Sequence, residues 1–191
     1  MWLSGKDAII QAVKQINPDI VAIYPCAFGR AFIQEFSNHT VNNRVVKLIA
    51  GKNIYNIINR CTRAAISRKR VIGIGSVDAL FCMRRELRKV SFSSLPMVMV
   101  VIEEVLEKDK SRCLINSAES NPGGWIQIYA ANGQEAYDFL IQSVRITEEA
   151  HLPVMHIMDG VVADRVSAVK IIEDDEQVRE FVNKSKVKTG K

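Results

Sequence analysis

No stretch of the 191 residues strings together the roughly 18–20 apolar positions that a bilayer-spanning helix needs, so no membrane partner is expected. The opening residues, Met1-Trp2-Leu3-Ser4-Gly5-Lys6-Asp7, lack a basic segment followed by an apolar one, and no signal peptide is expected either. Ten glycines and five prolines are too few for a collagen-like or Pro/Gly-rich disordered chain. The four cysteines, Cys26, Cys61, Cys82 and Cys113, form no CxxC and no cluster with histidine. That excludes a dense disulfide scaffold and leaves four reduced, mostly buried thiols in a cytoplasmic protein as the expectation. The three histidines, His39, His151 and His156, lie far apart; no metal site and no Ser-His-Asp order emerges. His156 sits in an apolar run and reads as a satisfied core histidine.

A P-loop is also missing. Gly73-Ile74-Gly75 follows an apolar run and precedes a helical pattern, but the third glycine of a dinucleotide fingerprint would fall at Asp78. Acidic residues are absent from Phe36 to Val77, while the same window holds Arg44, Lys47, Lys52, Arg60, Arg63, Arg68, Lys69 and Arg70. Lys184, Lys186, Lys188 and Lys191 follow near the carboxyl end, and acids concentrate at 103–109 and 173–180. The net charge is only +5, so this asymmetry, rather than the total, points to a face that meets an anionic partner.

What is present is a globular composition, 48% hydrophobic and 25% charged, of a size suited to one domain. Ser4 with Asp7 predicts a capped helix running to Ile16, stopped by Asn17-Pro18. Apolar runs at 19–24, 44–50, 71–75, 97–102, 125–129 and 152–158 read as strands. Helical patterns at 28–36, 52–67, 77–90, 134–150 and 174–182 separate or follow them. Near-continuous apolar strands alternating with amphipathic helices predict an α/β three-layer sandwich with a mainly parallel central sheet. Residues 1–183 read as one domain and 184–191 as a basic flexible tail. Asp159-Gly160 reads first as a turn and second as a catalytic carboxylate. Pro122-Gly123-Gly124 reads as a turn.

Six segments in register carry a resemblance. They are Gly5-Lys6-Asp7-Ala8 with Val13-Lys14-Gln15-Ile16-Asn17-Pro18-Asp19; Tyr24-Pro25; Leu95-Pro96-Met97-Val98-Met99-Val100; Gly124-Trp125-Ile126-Gln127-Ile128-Tyr129-Ala130; Gln134-Glu135-Ala136-Tyr137-Asp138; and Leu152-Pro153-Val154-Met155 with Asp159-Gly160. Together they resemble the N-terminal domain of the α subunit of pyruvate:ferredoxin oxidoreductase and related 2-oxoacid oxidoreductases. The resemblance implies the thiamine-diphosphate-binding fold of the pyrimidine-domain type. It also implies a β-type partner that completes the cofactor site, iron–sulfur subunits that pass electrons on, and a second α-subunit domain.

The departures fall at the residues that the resemblance assigns to chemistry. The family's Tyr-Pro-Ile-Thr-Pro holds a 2-oxoacid through its threonine; here the run is Tyr24-Pro25-Cys26-Ala27-Phe28 and the hydroxyl is missing at Ala27. The family's glutamate to the aminopyrimidine ring falls at Lys52 or Ile54, within the window that holds no acid. The family's substrate-pairing arginine falls at Glu104. The expected cleft rim is therefore Tyr24, Pro25, Ala27, Ile54 and Glu104, a degenerate version with no catalytic residue of its own. On this reading the chain alone binds no cofactor, and thiamine diphosphate enters only if a β partner completes the site. Three roles follow: a structural or regulatory subunit of such a complex, or a homodimer, on a retained fold; a working subunit whose missing groups come in trans; or a free-standing anion- or nucleic-acid-binding protein, for which the window offers little aromatic interleaving.

Overall fold

Ser4 and Asp7 do what their spacing predicts. The Ser4 hydroxyl accepts the Asp7 amide at 3.1 Å and the Asp7 carboxylate accepts the Ser4 amide at 3.3 Å, a reciprocal capping box that opens the first helix. Asn17, left-handed at φ 49°, ends that helix before Pro18. The computed structural model describes residues 1–24, 26–36, 40–41, 44–45, 47–50, 53–103 and 123–183. In chain order the elements are β1 (Trp2–Ser4), α1 (Gly5–Ile16), β2 (Ile20–Ile23), α2 (Ala27–Phe36), β3 (Thr40–Val41), β4 (Arg44–Val45), β5 (Lys47–Ala50), α3 (Ile54–Ile66) and β6 (Val71–Ser76). There follow α4 (Val77–Phe92), β7 (Val98–Glu103), β8 (Ile126–Ala130), α5 (Gly133–Ala150), β9 (Val154–Asp159), α6 (Gly160–Asp164), β10 (Val166–Ala168) and α7 (Asp175–Asn183).

Six strands form one sheet in the order β5-β2-β6-β7-β9-β8, every neighbouring pair parallel. All residues of β2, β6 and β7 are buried, because helices cover both faces. Val21, Ile72, Val98 and Val100 point into one core with α1, α2, α5 and α7. Ala22, Val71, Met99 and Ile157 point into the other with α3 and α4. The expected three-layer α/β sandwich with a parallel centre is the fold.

Three local readings change. The strand expected over 44–50 is two: Arg44–Val45 pairs antiparallel with Thr40–Val41, and only Lys47–Ala50 joins the sheet beside Ile20–Ile23. Both pieces have strand-forming residues, and the partner, not the propensity, divides them. Trp2–Ser4 pairs antiparallel with Val166–Ala168, a three-residue ribbon too short for periodicity to reveal. The expected turn at Asp159-Gly160 is a helix start: the Asp159 side chain accepts the Val161 and Val162 amides and caps α6. Gly123 and Gly124 both have positive φ, 80° and 74°, which is where a turn before Trp125 requires glycine. The tail at 184–191 lies outside the described residues.

Candidate functional site

In an open parallel sheet, ligands gather where successive crossovers leave in opposite directions from the carboxyl ends of adjacent strands. Here that point lies between β2 and β6. From β2 the chain passes through α2 towards β5, and from β6 it passes through α4 to β7, on the opposite face. The described groups at this edge are Tyr24 after β2, Cys26, the first turn of α2, Asn53 and Ile54 at the start of α3, Ser76 at the end of β6, Glu103 at the end of β7 and Asp159 at the end of β9.

Tyr24 turns away from the edge. Its side chain is fully buried in the core that α3 and α4 cover. A Cβ on Gly73 would come 3.4 Å from the Tyr24 ring, and one on Gly75 would come 3.4 Å from Tyr24 Cβ. The closest neighbour of such a Cβ on Gly73 would be Met99 Sδ, at 2.6 Å, so that glycine makes room for a packed thioether, where a nucleotide motif would make room for phosphate, and Tyr24 lies beside both glycines at ordinary contact distance. Burial first, and the neighbouring Cys61 thiol second, hold the Tyr24 hydroxyl well above the ordinary tyrosine pKa. Burial likewise pushes Cys61 up to about 12, against smaller opposing effects of Tyr24 and Arg60. The two groups are neighbours without a hydrogen bond of regular geometry, and both stay protonated at neutral pH.

Ala27 is the first residue of α2. The α2 amide of Gly29 donates to Cys26 Sγ at 3.2 Å. A Cβ on Gly29 would come 2.6 Å from Ile23 Cγ2, so the helix start is pressed onto the end of β2. Asn53 caps α3, its side chain accepting the Asn56 amide at 3.1 Å. Ile54 opens that helix half-buried, packed against the α3–α4 core, and the first turn of α3 holds no acid. Pro25 and Glu104 lie outside the described residues, as does Cys113. Of the other thiols only Cys61 is buried; Cys26 is half-buried and Cys82 exposed, so the mostly buried set expected is one of three.

Sequence reasoning assigned no role to two polar groups at the same edge. Ser76 is nearly buried and caps α4 by backbone position without a side-chain cap bond. Glu103 is 2% exposed, and its register partner in β9 is Asp159. Their signal in sequence was only their place at the end of an apolar run. His156 lies deeper, in mid-strand. It is fully buried as expected, yet neither ring nitrogen has a hydrogen-bond partner among the described residues, so it is not the satisfied histidine that the sequence suggested. Burial lowers its pKa from 6.5 to about 4, with the Ala136 backbone acting weakly the other way.

The chain is thus of the open parallel α/β class, with a switch point between β2 and β6 and buried polar residues, Ser76 and Glu103, at the strand ends. Its family follows from comparison. Residues 11–191 match the model of the pyruvate flavodoxin/ferredoxin oxidoreductase, thiamine diphosphate-binding family, and the chain belongs to that family. It is 29% identical over 189 residues to pyruvate synthase subunit PorA of Thermotoga maritima, covering 96% of this chain and 48% of the relative. It is 25% identical over 183 residues to ketoisovalerate oxidoreductase subunit VorA of Pyrococcus horikoshii, covering 94% of this chain and 46% of the relative. The chain thus spans about half the length of the curated relatives it matches. Among solved structures, 2-oxoglutarate:ferredoxin oxidoreductase from Magnetococcus marinus superposes with a TM-score of 0.75 at 14% identity, over 93% of this chain and 32% of that one. The thiamine diphosphate-dependent 4-hydroxybenzoylformate decarboxylase of Rhodococcus jostii follows with a TM-score of 0.68 at 8% identity, over 93% and 33%. At such identities the likeness is one of fold.

The described donor set fits an aminopyrimidine poorly. The start of α3 offers Asn53, whose side chain is engaged in capping, and Ile54, which has no polar side-chain atom. The start of α2 offers Ala27. The buried carboxylate nearest the edge, Glu103, ends β7 on the far side of β6 from β2.

Among the described residues no helix is long and apolar enough to cross a membrane.

Proposed function

We propose that this chain is a PorA-like pyrimidine-side domain of a 2-oxoacid:ferredoxin oxidoreductase assembly that has lost catalytic groups and serves as a structural or regulatory subunit. The observation that carries the reading is Ile54. An apolar side chain opens α3 at the sheet's carboxyl edge, in a chain with no acid between residues 36 and 77 to replace a glutamate there. A general acid–base partner contributes about 10²–10⁴-fold to rate, so its loss while the fold is retained separates assembly from chemistry. The missing threonine hydroxyl at Ala27 and the acid at Glu104 in place of an arginine point the same way. The rim of the altered cleft comprises Tyr24, Pro25, Ala27, Ile54 and Glu104, and the changes fall at Ala27, Ile54 and Glu104. The domain comprises 1–183, with 184–191 as a basic tail, in the cytoplasm. Its partners are β-type and iron–sulfur subunits, and thiamine diphosphate is held only in their company.

The test is affinity purification of the tagged chain from its native cell extract, with mass spectrometry of what accompanies it and a thiamine diphosphate assay of the purified material. Co-purification of β-type and iron–sulfur subunits is the expected result. A chain that emerges alone overturns the subunit reading. An assembly whose 2-oxoacid oxidation runs at this chain's own edge overturns the degenerate one and makes it a working subunit.

A further inference from the structure

At the opposite end of the sheet, where β6 and β7 begin, a cavity of about 640 Å³ opens between the last turn of α3 and the second half of α5. Its floor is apolar: Val71, Val98 and Val144 are buried, and Leu95 and Pro96 line the side. Ile66, 63% exposed, stands at its mouth as an unpacked apolar side chain. Volume and lining are those of a small-molecule pocket, which is concave, mostly apolar and furnished with a few polar groups.

The charges around the mouth decide what it would take. Arg68, Lys69 and Arg70 follow one another along the lip. Arg70 is spent: its guanidinium donates to both oxygens of Glu148, at 2.6 and 2.9 Å, inside the fold. Arg68 and Lys69 are exposed, and neither side chain has an ion-pair partner among the described residues. Glu148, the one acid lining the cavity, is neutralised by Arg70. The result is an apolar well beneath two available cations.

We infer that this amino-edge cavity is a binding site for an amphipathic anion, a carboxylate on an apolar tail, with the tail against Ile66, Leu95 and Pro96 over the buried ends of Val71, Val98 and Val144, and the head group at Arg68 and Lys69. The site is independent of the carboxyl edge, because it sits at the other end of the same strands. A free cation at the rim adds attraction and orientation, while the burial of the tail supplies most of the affinity.

Octanoate titrated into the 191-residue chain by isothermal calorimetry tests this, with 1-octanol as the uncharged probe and methyl NMR shifts to locate binding. Saturable one-site binding of octanoate is expected, with shifts at Ile66, Leu95 and Val144. Binding about tenfold weaker in Lys69→Glu and in Arg68→Glu, and about tenfold weaker for octanol, is expected as well. Both substitutions are at exposed positions, and thermal melting of each variant separates lost binding from lost fold. Absence of saturable binding overturns the inference, as do equal affinities for octanoate and octanol, or shifts confined to another part of the chain. Binding of an acidic peptide without binding of octanoate also overturns it, by making the cavity a protein-docking surface.

Discussion

The guanidinium of Arg70 grips the carboxylate of Glu148 through two hydrogen bonds, Nε to Oε1 at 2.6 Å and Nη2 to Oε2 at 2.9 Å. The pair ties the residue that enters β6 to the last turn of α5, 78 positions later, with both side chains nearly buried, at 8% and 12% exposure. Arg70 Nη2 also donates to the Asn183 side chain at the end of α7. An arginine that reads in sequence as part of a basic patch is thus a structural clamp among three elements, because a two-pronged donor matches a carboxylate in a way that lysine cannot.

Removing one partner of such a pair leaves a buried charge behind. Glu148→Ala should lower unfolding free energy by about 3–5 kcal/mol, measured by urea denaturation. Arg70→Met with Glu148→Leu together should cost much less than the two single losses summed, since no charge is stranded. Additive losses would mean that the two groups do not act as a pair.

Gly5 presents a case where helix propensity and packing have opposite signs. It is the first residue of α1, where alanine is the better helix former by about 1 kcal/mol. A Cβ there would lie 2.5 Å from the Val162 carbonyl oxygen and 3.1 Å from Ala163 Cα, backbone atoms of α6 that cannot rotate aside. Gly5→Ala should therefore destabilise, by about 1–3 kcal/mol, read from a chemical denaturation curve. A rise in stability would show that α6 gives way.

His156 should make the protein acid-sensitive. Its folded pKa of about 4 lies below the 6.5 of an unperturbed histidine, so the unfolded chain takes up the proton first as pH falls. The stability it contributes is complete above about pH 6.5 and is lost progressively towards pH 4, to a total of about 3 kcal/mol. At pH 5 the loss should be about 2 kcal/mol relative to pH 7.5. In His156→Leu that part of the slope should vanish, while carboxylate titration remains. An unchanged pH profile in the variant would assign the acid sensitivity to other groups.

If the carboxyl edge has lost several groups, as proposed, adding one acid there should not supply the chemistry. Ile54→Glu introduces a carboxylate at the start of α3 but leaves Ala27 and Glu104 as they are. Pyruvate oxidation by the purified assembly should stay at the level of the unaltered chain. Recovery of turnover in this single variant would defeat the view that several roles were lost together.

Much of this was open to inspection in the sequence, for identifiable reasons. Ser4 and Asp7 act within one turn of backbone, so their capping box is a local fact. Met97 to Ile102 is apolar at every position because both faces of a parallel strand are covered, and that pattern needs no partner to be recognised. The same local view fails at Tyr24. Its place at a strand end suggested a cleft rim, but the side chain takes the inner face, over Gly73 and Gly75, which are about 50 residues away in sequence. It fails again at Arg44–Ala50, where two partners divide one apolar stretch, and at Asp159, whose neighbours Val161 and Val162 turn into a helix.

By itself the sequence determined the class of the fold, the chain order of the six sheet strands and the longer helices within a few residues, and the absence of acid between residues 36 and 77. Those properties rest on composition and on contacts between residues close along the chain. Only the tertiary structure decided which charges are available and which are consumed. Arg70 meets Glu148, whereas among the described residues the side chains of Arg68 and Lys69 meet no ion-pair partner and neither ring nitrogen of the buried His156 finds a hydrogen-bond partner. The physical reason is that charge pairing and desolvation depend on distance in space, and the sheet order β5-β2-β6-β7-β9-β8 brings together residues whose separation along the chain carries no information about their meeting.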